Sequence, residues 1–117
     1  MGTGFRQLNV WNAAKELAVR VYHASNTLRD FSLRDQIRRS AVSVASNIAE
    51  GDERDTDKDS VRFFFIAKGS LAELVTQLEI ASEVGLLSSD ATHPLIDQAT
   101  SVARQLGALI KARTPHE

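Results

Sequence analysis

The sequence predicts an all-α protein, an antiparallel up-down-up-down four-helix bundle, on three observations. Apolar residues recur at steps of three and four in four separate stretches. No stretch alternates with period two for long enough to make a strand. The connections between the stretches are short and carry capping residues. The helices are expected at about 10–29, 33–51, 58–84 and 89–113, in one domain spanning 1–117.

The first helix follows from Trp11, Ala14, Ala18, Val21, Ser25 and Leu28, an alternating three-and-four seam, with Asn9 as its expected cap. Met1–Leu8 reads as a lead-in whose Phe5 and Leu8 can pack on the bundle. Asp30-Phe31-Ser32 is a turn, and Ser32 is the expected cap of the second helix. The charged run 51–59, GDERDTDKD, is a solvated linker in which Asp57 or Asp59 caps the third helix. The third helix is apolar on two sides: Phe64, Leu71 and Leu78 on one, Phe63, Ile66 and Leu74 on another. Such a helix is buried in the bundle or lies at a subunit interface. Gly69 interrupts its bulk, which suggests close approach of another backbone. Gly85 is placed as a stop, Ser88 or Ser89 as the next cap, and Pro94 in the first turn of the fourth helix. Leu95, Ala99, Val102, Leu106 and Leu109 supply the buried stripe of that helix, and Thr114–Glu117 is expected to fray.

The second helix is the centre of the pattern. Ile37, Ala41, Val44 and Ile48 form an apolar stripe, widened by Val42, Ala45 and Ala49. Gln36, Ser40, Ser43, Asn47 and Glu50 form a second, polar stripe. Small side chains let a neighbouring helix come close. A polar group left unsatisfied on such a face costs about 1–3 kcal/mol. Ser43 and Asn47 are therefore expected to meet polar groups across a helix interface, with Ser70 and Glu73 of the third helix as structural partners and Glu73 paired with Asn47. The competing reading leaves the stripe in water. Gly51 should end or kink the helix.

Composition bounds the function. Hydrophobic residues make up 43% of the chain and the net charge is −1, so a packed core is expected and a strongly basic nucleic-acid footprint is absent overall. With no cysteine, disulfides and thiolate zinc sites are excluded. No apolar run is long enough to cross a bilayer, and the start shows no charged segment followed by an apolar block. A cytoplasmic location is the expectation, with no membrane partner.

No chemistry stands out. None of His23, His93 and His116 lies three residues after a Glu, so the paired Glu-x-x-His of di-iron bundles is missing and no metal site is expected. There is no nucleophile elbow and no Gly-rich phosphate loop. No catalytic residue, no cofactor and no small-molecule substrate is expected. Arg34, Arg38 and Arg39 are the exception, since two of them lie one turn apart with the third beside them. They can hold phosphates or an acidic partner, or they pair with acids such as Asp35 and Glu50. They begin the second helix, about 25 Å from the acidic linker at its far end, so the molecule should have a basic end and an acidic end.

Five segments carry a resemblance. They are F-x-x-L-x-V-W at 5–11, Q-x-R-R-S-A-V-S-V at 36–44, S-N-I-A-E-G at 46–51, R-F-F at 62–64 and I-A-K-G-S-L-A-E-L at 66–74. From about Phe5 to Leu87 the chain resembles the 23S rRNA intervening sequence protein, or S23, family. Ala45 stands where family patterns often carry Pro. The resemblance implies a bacterial four-helix bundle assembled as a homopentamer, without attached enzymatic activity, some members being encoded within large ribosomal RNA genes. The chain is more distantly similar to accessory proteins of diversity-generating retroelements, basic pentamers that bind a reverse transcriptase and nucleic acid. It departs from them in its slight acidity. The leading expectation is a non-enzymatic oligomeric scaffold or adaptor whose first partner is itself. The alternative is an RNA- or DNA-binding accessory protein using Arg34, Arg38 and Arg39.

Overall fold

Four α-helices make up the fold in the computed structural model, which describes residues 4–115: α1 Asn9–Ala24, α2 Phe31–Asp52, α3 Asp57–Glu83 and α4 Ser89–Arg113. Short 3-10 turns, Gly4–Gln7 and Ser25–Thr27, precede and follow α1. Met1–Thr3 of the expected lead-in, and His116 and Glu117 at the other end, lie outside the described residues. No strand occurs among the described residues.

The helix starts follow capping chemistry, not always at the expected residue. Asp30, not Ser32, caps α2: its backbone is extended and its carboxylate accepts from the Leu33 N–H at 3.0 Å. Thr56 caps α3 by accepting from the Asp59 N–H at 3.1 Å. Asp57 and Asp59 lie instead in the first turn, where their charge suits the positive end of the helix dipole. Ser88 caps α4, accepting from the Ala91 N–H at 3.2 Å. Asn9 does not cap α1, because Leu8 occupies that position with no side-chain bond. Asn12 reaches back instead, its amide donating to the carbonyls of Arg6 and Leu8.

Two further expectations are corrected. α1 stops at Ala24 rather than running to about Arg29, tightening into the 3-10 turn that carries the chain to Leu28. Pro94 is the sixth residue of α4, beyond its first turn. Both Pro94 and Asp90, the residue whose carbonyl loses its partner, are exposed, so water can replace the missing bond. Gly51 is the penultimate residue of α2, which ends at Asp52, one residue past the expected limit. Gly85, by contrast, adopts a φ of 80° just past α3, a left-handed turn that stops the helix.

α2 packs on α1 and α3, and α4 closes the bundle against α3 and α1. Leu17, Ile37, Ile48, Phe64, Leu74 and Leu106 are completely buried at the centre. Burying each contributes roughly 1.5–3 kcal/mol. At Gly51 of α2 a Cβ would lie 2.6 Å from the Phe64 ring of α3. At Gly69, where close approach was expected, a Cβ would meet nothing within 4 Å. The glycine that packs against a neighbouring helix is therefore Gly51, not Gly69. An ion pair of 2.7 Å between Asp52 and Arg113 ties the last turn of α2 to that of α4.

Candidate functional site

Polar residues of α2 meet α3 in a short ladder. The Ser40 hydroxyl lies 2.7 Å from the Gln77 side-chain oxygen, and the Ser43 hydroxyl lies 2.9 Å from that of Ser70. The Asn47 amide donates to the Ser43 carbonyl and hydroxyl at 2.9 and 3.0 Å, so it reaches α3 only through Ser43. Ser40 and Ser70 are buried, and their partners satisfy hydroxyls that would otherwise destabilise the interface. Glu73 is exposed and stands at the mouth of a shallow cleft beside Gln36, Arg39 and Gln77. It is not the buried partner of Asn47, because the inward register of α3 here is Ser70, Leu74 and Gln77. Glu50 is exposed as well, 3.5 Å from Arg54 of the same helix end.

The three arginines share a helix end but not a role. Arg38 folds over the end of α1: its guanidinium donates to the Ser25 hydroxyl at 2.9 Å and to the Tyr22 carbonyl at 3.1 Å, and stacks 4.5 Å from the Tyr22 ring. It thereby satisfies carbonyl and hydroxyl groups where α1 has run out of helix. Arg34 lies over the Phe31 ring at 4.6 Å, with its Nε 3.6 Å from Asp35. Arg39 is exposed and, among the described residues, has no hydrogen bond or ion pair. The sequence could not separate these roles, since all three lie within two turns of one helix.

A concave apolar surface lies between α1 and α2. α1 contributes Trp11, Ala18, Val19 and Tyr22, and α2 contributes Val42, Ala45 and Ala49, around a groove of about 630 Å³. Small residues on α2 leave the trough open, and larger ones on α1 wall it. Val19, Tyr22 and Val42 are 50%, 45% and 41% exposed, although they are large and apolar. Its charged lining is basic, Arg6 and Lys15, without a carboxylate, and His23 stands beside them. Arg6 and Lys15 rest on aromatic rings, of Phe5 and Trp11 respectively. The sequence carries a signal for this groove. Val19 and Tyr22 are apolar yet lie outside the stripe that builds the core.

Among the described residues, no group of three or more His, Asp or Glu side chains is placed to hold a metal ion. No described helix is long and apolar enough to cross a membrane.

The comparisons with known proteins agree with this geometry. The family model for the 23S rRNA-intervening sequence protein matches residues 6–108. A crystal structure of a protein of unknown function, from the S23 ribosomal protein family of Bacteroides thetaiotaomicron, superposes with a TM-score of 0.82 at 24% identity, covering 87% of this chain and 98% of that one. That likeness establishes the shared fold. No curated protein matches. The family match spans all four helices up to the penultimate turns of α4, and the chain belongs to the 23S rRNA-intervening sequence protein family.

Proposed function

We propose that this chain is a subunit of a closed homo-oligomer, five subunits on the family resemblance, that serves as a non-enzymatic scaffold or adaptor in the cytoplasm. The observation that carries the reading is the apolar groove between α1 and α2. A trough walled by Trp11, Val19 and Tyr22 exposes apolar surface that a soluble monomer ordinarily hides, and such surface marks an interaction site. Its walls offer no nucleophile paired with a base and no cluster of carboxylates, so its chemistry is that of contact. Light scattering coupled to size exclusion tests the reading. A species several times the 12.8 kDa of one chain is expected at micromolar concentration. A clean monomer would sink it.

A second reading, binding of RNA or DNA, has one observation in its favour: Arg39 is exposed and unpaired, and a ring would repeat it around one end. Arg34 and Arg38 support it less, because ring stacking and the end of α1 already engage them. Retention on RNA or heparin with a steep salt dependence, lost in Arg39→Glu, is the expected signature. Absence of retention at low salt removes this reading and leaves the first intact.

A further inference from the structure

Apart from Phe31, which lies under the Arg34 guanidinium, the exposed large apolar side chains among the described residues form three groups, each with a distinct electrical setting. In the α1/α2 groove, Val19, Tyr22 and Val42 lie among Arg6, Lys15 and His23. Near the start of α3, Phe65 and Ile66 lie between Lys68 and an Arg62 already paired with Asp59 at 2.9 Å. Near its end, Ile80 and Val84 stand one turn apart, with Leu86 following in the connection, and Glu79 and Glu83 beside them. Val84 is 63% exposed, the most exposed of all these side chains. Among the described residues, neither Glu79 nor Glu83 takes part in an ion pair.

Only one of these groups complements the groove. Phe65 and Ile66 would bring Lys68, which forms no ion pair among the described residues, and an Arg62 already neutralised by Asp59, to the basic rim. Ile80 and Val84 would bring apolar side chains to an apolar trough and two free carboxylates to a basic rim. The lengths also agree. The α1 wall from Trp11 to Tyr22 is about 16 Å long at 1.5 Å per residue, and Ile80 to Val84 occupies a single turn of about 6 Å within it.

We infer that the α1/α2 groove of one copy of this chain receives the C-terminal end of α3, Ile80 and Val84 flanked by Glu79 and Glu83, from a second copy. The inference rests on the oligomer reading above and names the two surfaces that meet. Because the surfaces differ, the contact is head to tail, and a pair of copies keeps one free groove at one end and one free ridge at the other. Repetition of such a contact closes into a ring when its rotation divides a full turn.

Two variants at exposed positions test it: Val42→Arg in the groove, and Ile80→Glu with Val84→Glu on the ridge. Each alone should reduce the assembly to monomers, at least a tenfold loss of association, while far-ultraviolet circular dichroism keeps its helical signal. Mixed, they should form a dimer that grows no further, since the ridge variant still has a groove and the groove variant still has a ridge. As a second measurement, Ala45→Cys with Val84→Cys in this cysteine-free chain should give a covalent ladder on oxidation. Retention of the wild-type assembly by either variant overturns the inference, as does a mixture that stays monomeric or an oligomer that yields no ladder. Dissociation by Ile66→Glu but not by Val84→Glu assigns the groove to the other end of α3 and likewise overturns it. If the wild type is itself monomeric, the oligomer reading fails first, and that outcome is separate from the others.

Discussion

Along the outward side of α4 the residues are His93, Asp97, Thr100, Arg104, Ala108 and Lys111, all polar or small and all exposed. The outward side of α3 carries Phe65, Ile66 and Ile80, with Val84 at its C-cap, and these are exposed as well. Both helices bury one stripe in the same core, and both belong to one bundle. α4 meets the ordinary requirement of a helix on a soluble protein, an apolar stripe inward and a polar face outward. α3 exceeds it, and so does the α1/α2 groove. No described residue of α4 is among the exposed large apolar side chains. The excess is therefore local to particular surfaces and is not a general hydrophobicity of the chain, whose mean hydropathy is −0.19.

The sharpest way to break this comparison is to place the same charge on each face. Val84→Glu should dissolve the assembly, and Thr100→Glu on α4 should leave it at wild-type size, both read by light scattering. Equal effects would mean that the apolar excess of α3 has no partner.

Inside the bundle the contrast lies between neighbours on one helix. Phe64 is completely buried and Phe65 is 52% exposed. Phe64→Ala should cost about 3–5 kcal/mol of folding stability through lost contacts and a cavity. Under conditions where the chain is monomeric, Phe65→Ala should stay within about 0.5 kcal/mol in a urea melt.

Glycines extend the contrast. Gly51→Ala puts a methyl against the Phe64 ring at the α2/α3 crossing and should destabilise by about 1–3 kcal/mol, even though Ala is the better helix former. Gly107→Ala in α4, with nothing within 4 Å, should stabilise by up to about 1 kcal/mol. Gly69→Ala in α3 has the same open surroundings and should gain as much. A gain at Gly107 without one at Gly69 would show that a second copy covers the middle of α3 as well.

The smallest contrast separates two adjacent arginines. Arg38→Ala removes bonds to Ser25 and Tyr22 and should cost about 1–2 kcal/mol in a thermal melt. Arg39→Ala should change stability by less than about 0.5 kcal/mol.

Much of the bundle was legible in the residues. The stripe Ile37, Ala41, Val44 and Ile48 is buried throughout, and Gly85 and Ser88 stand where the stop and the following cap were expected. Boundaries shifted where two residues competed to cap, as Asp30 with Ser32 and Thr56 with Asp57. Backbone angles choose between such residues, and composition does not. The polar stripe of α2 was visible as a stripe, and so was the need of Ser43 for a partner. Its partner Ser70 was named beside Glu73, and only the register of α3 turns one inward and the other out. Arg34, Arg38 and Arg39 were legible as a cluster, not as three different roles. The groove went unrecognised because it belongs to two helices at once, and each contributes only part of its wall.

The sequence by itself determined the number of helices among the described residues, their approximate limits and most of the core stripe of each. Those properties follow from local periodicity and from which residue types are present. Tertiary structure decided which glycine meets a neighbour, which arginine is engaged, and which apolar residues remain outside. Each of those depends on the rotation and height of one helix relative to another. Packing of the complete core sets that relation, and it leaves no trace in the spacing of any single helix.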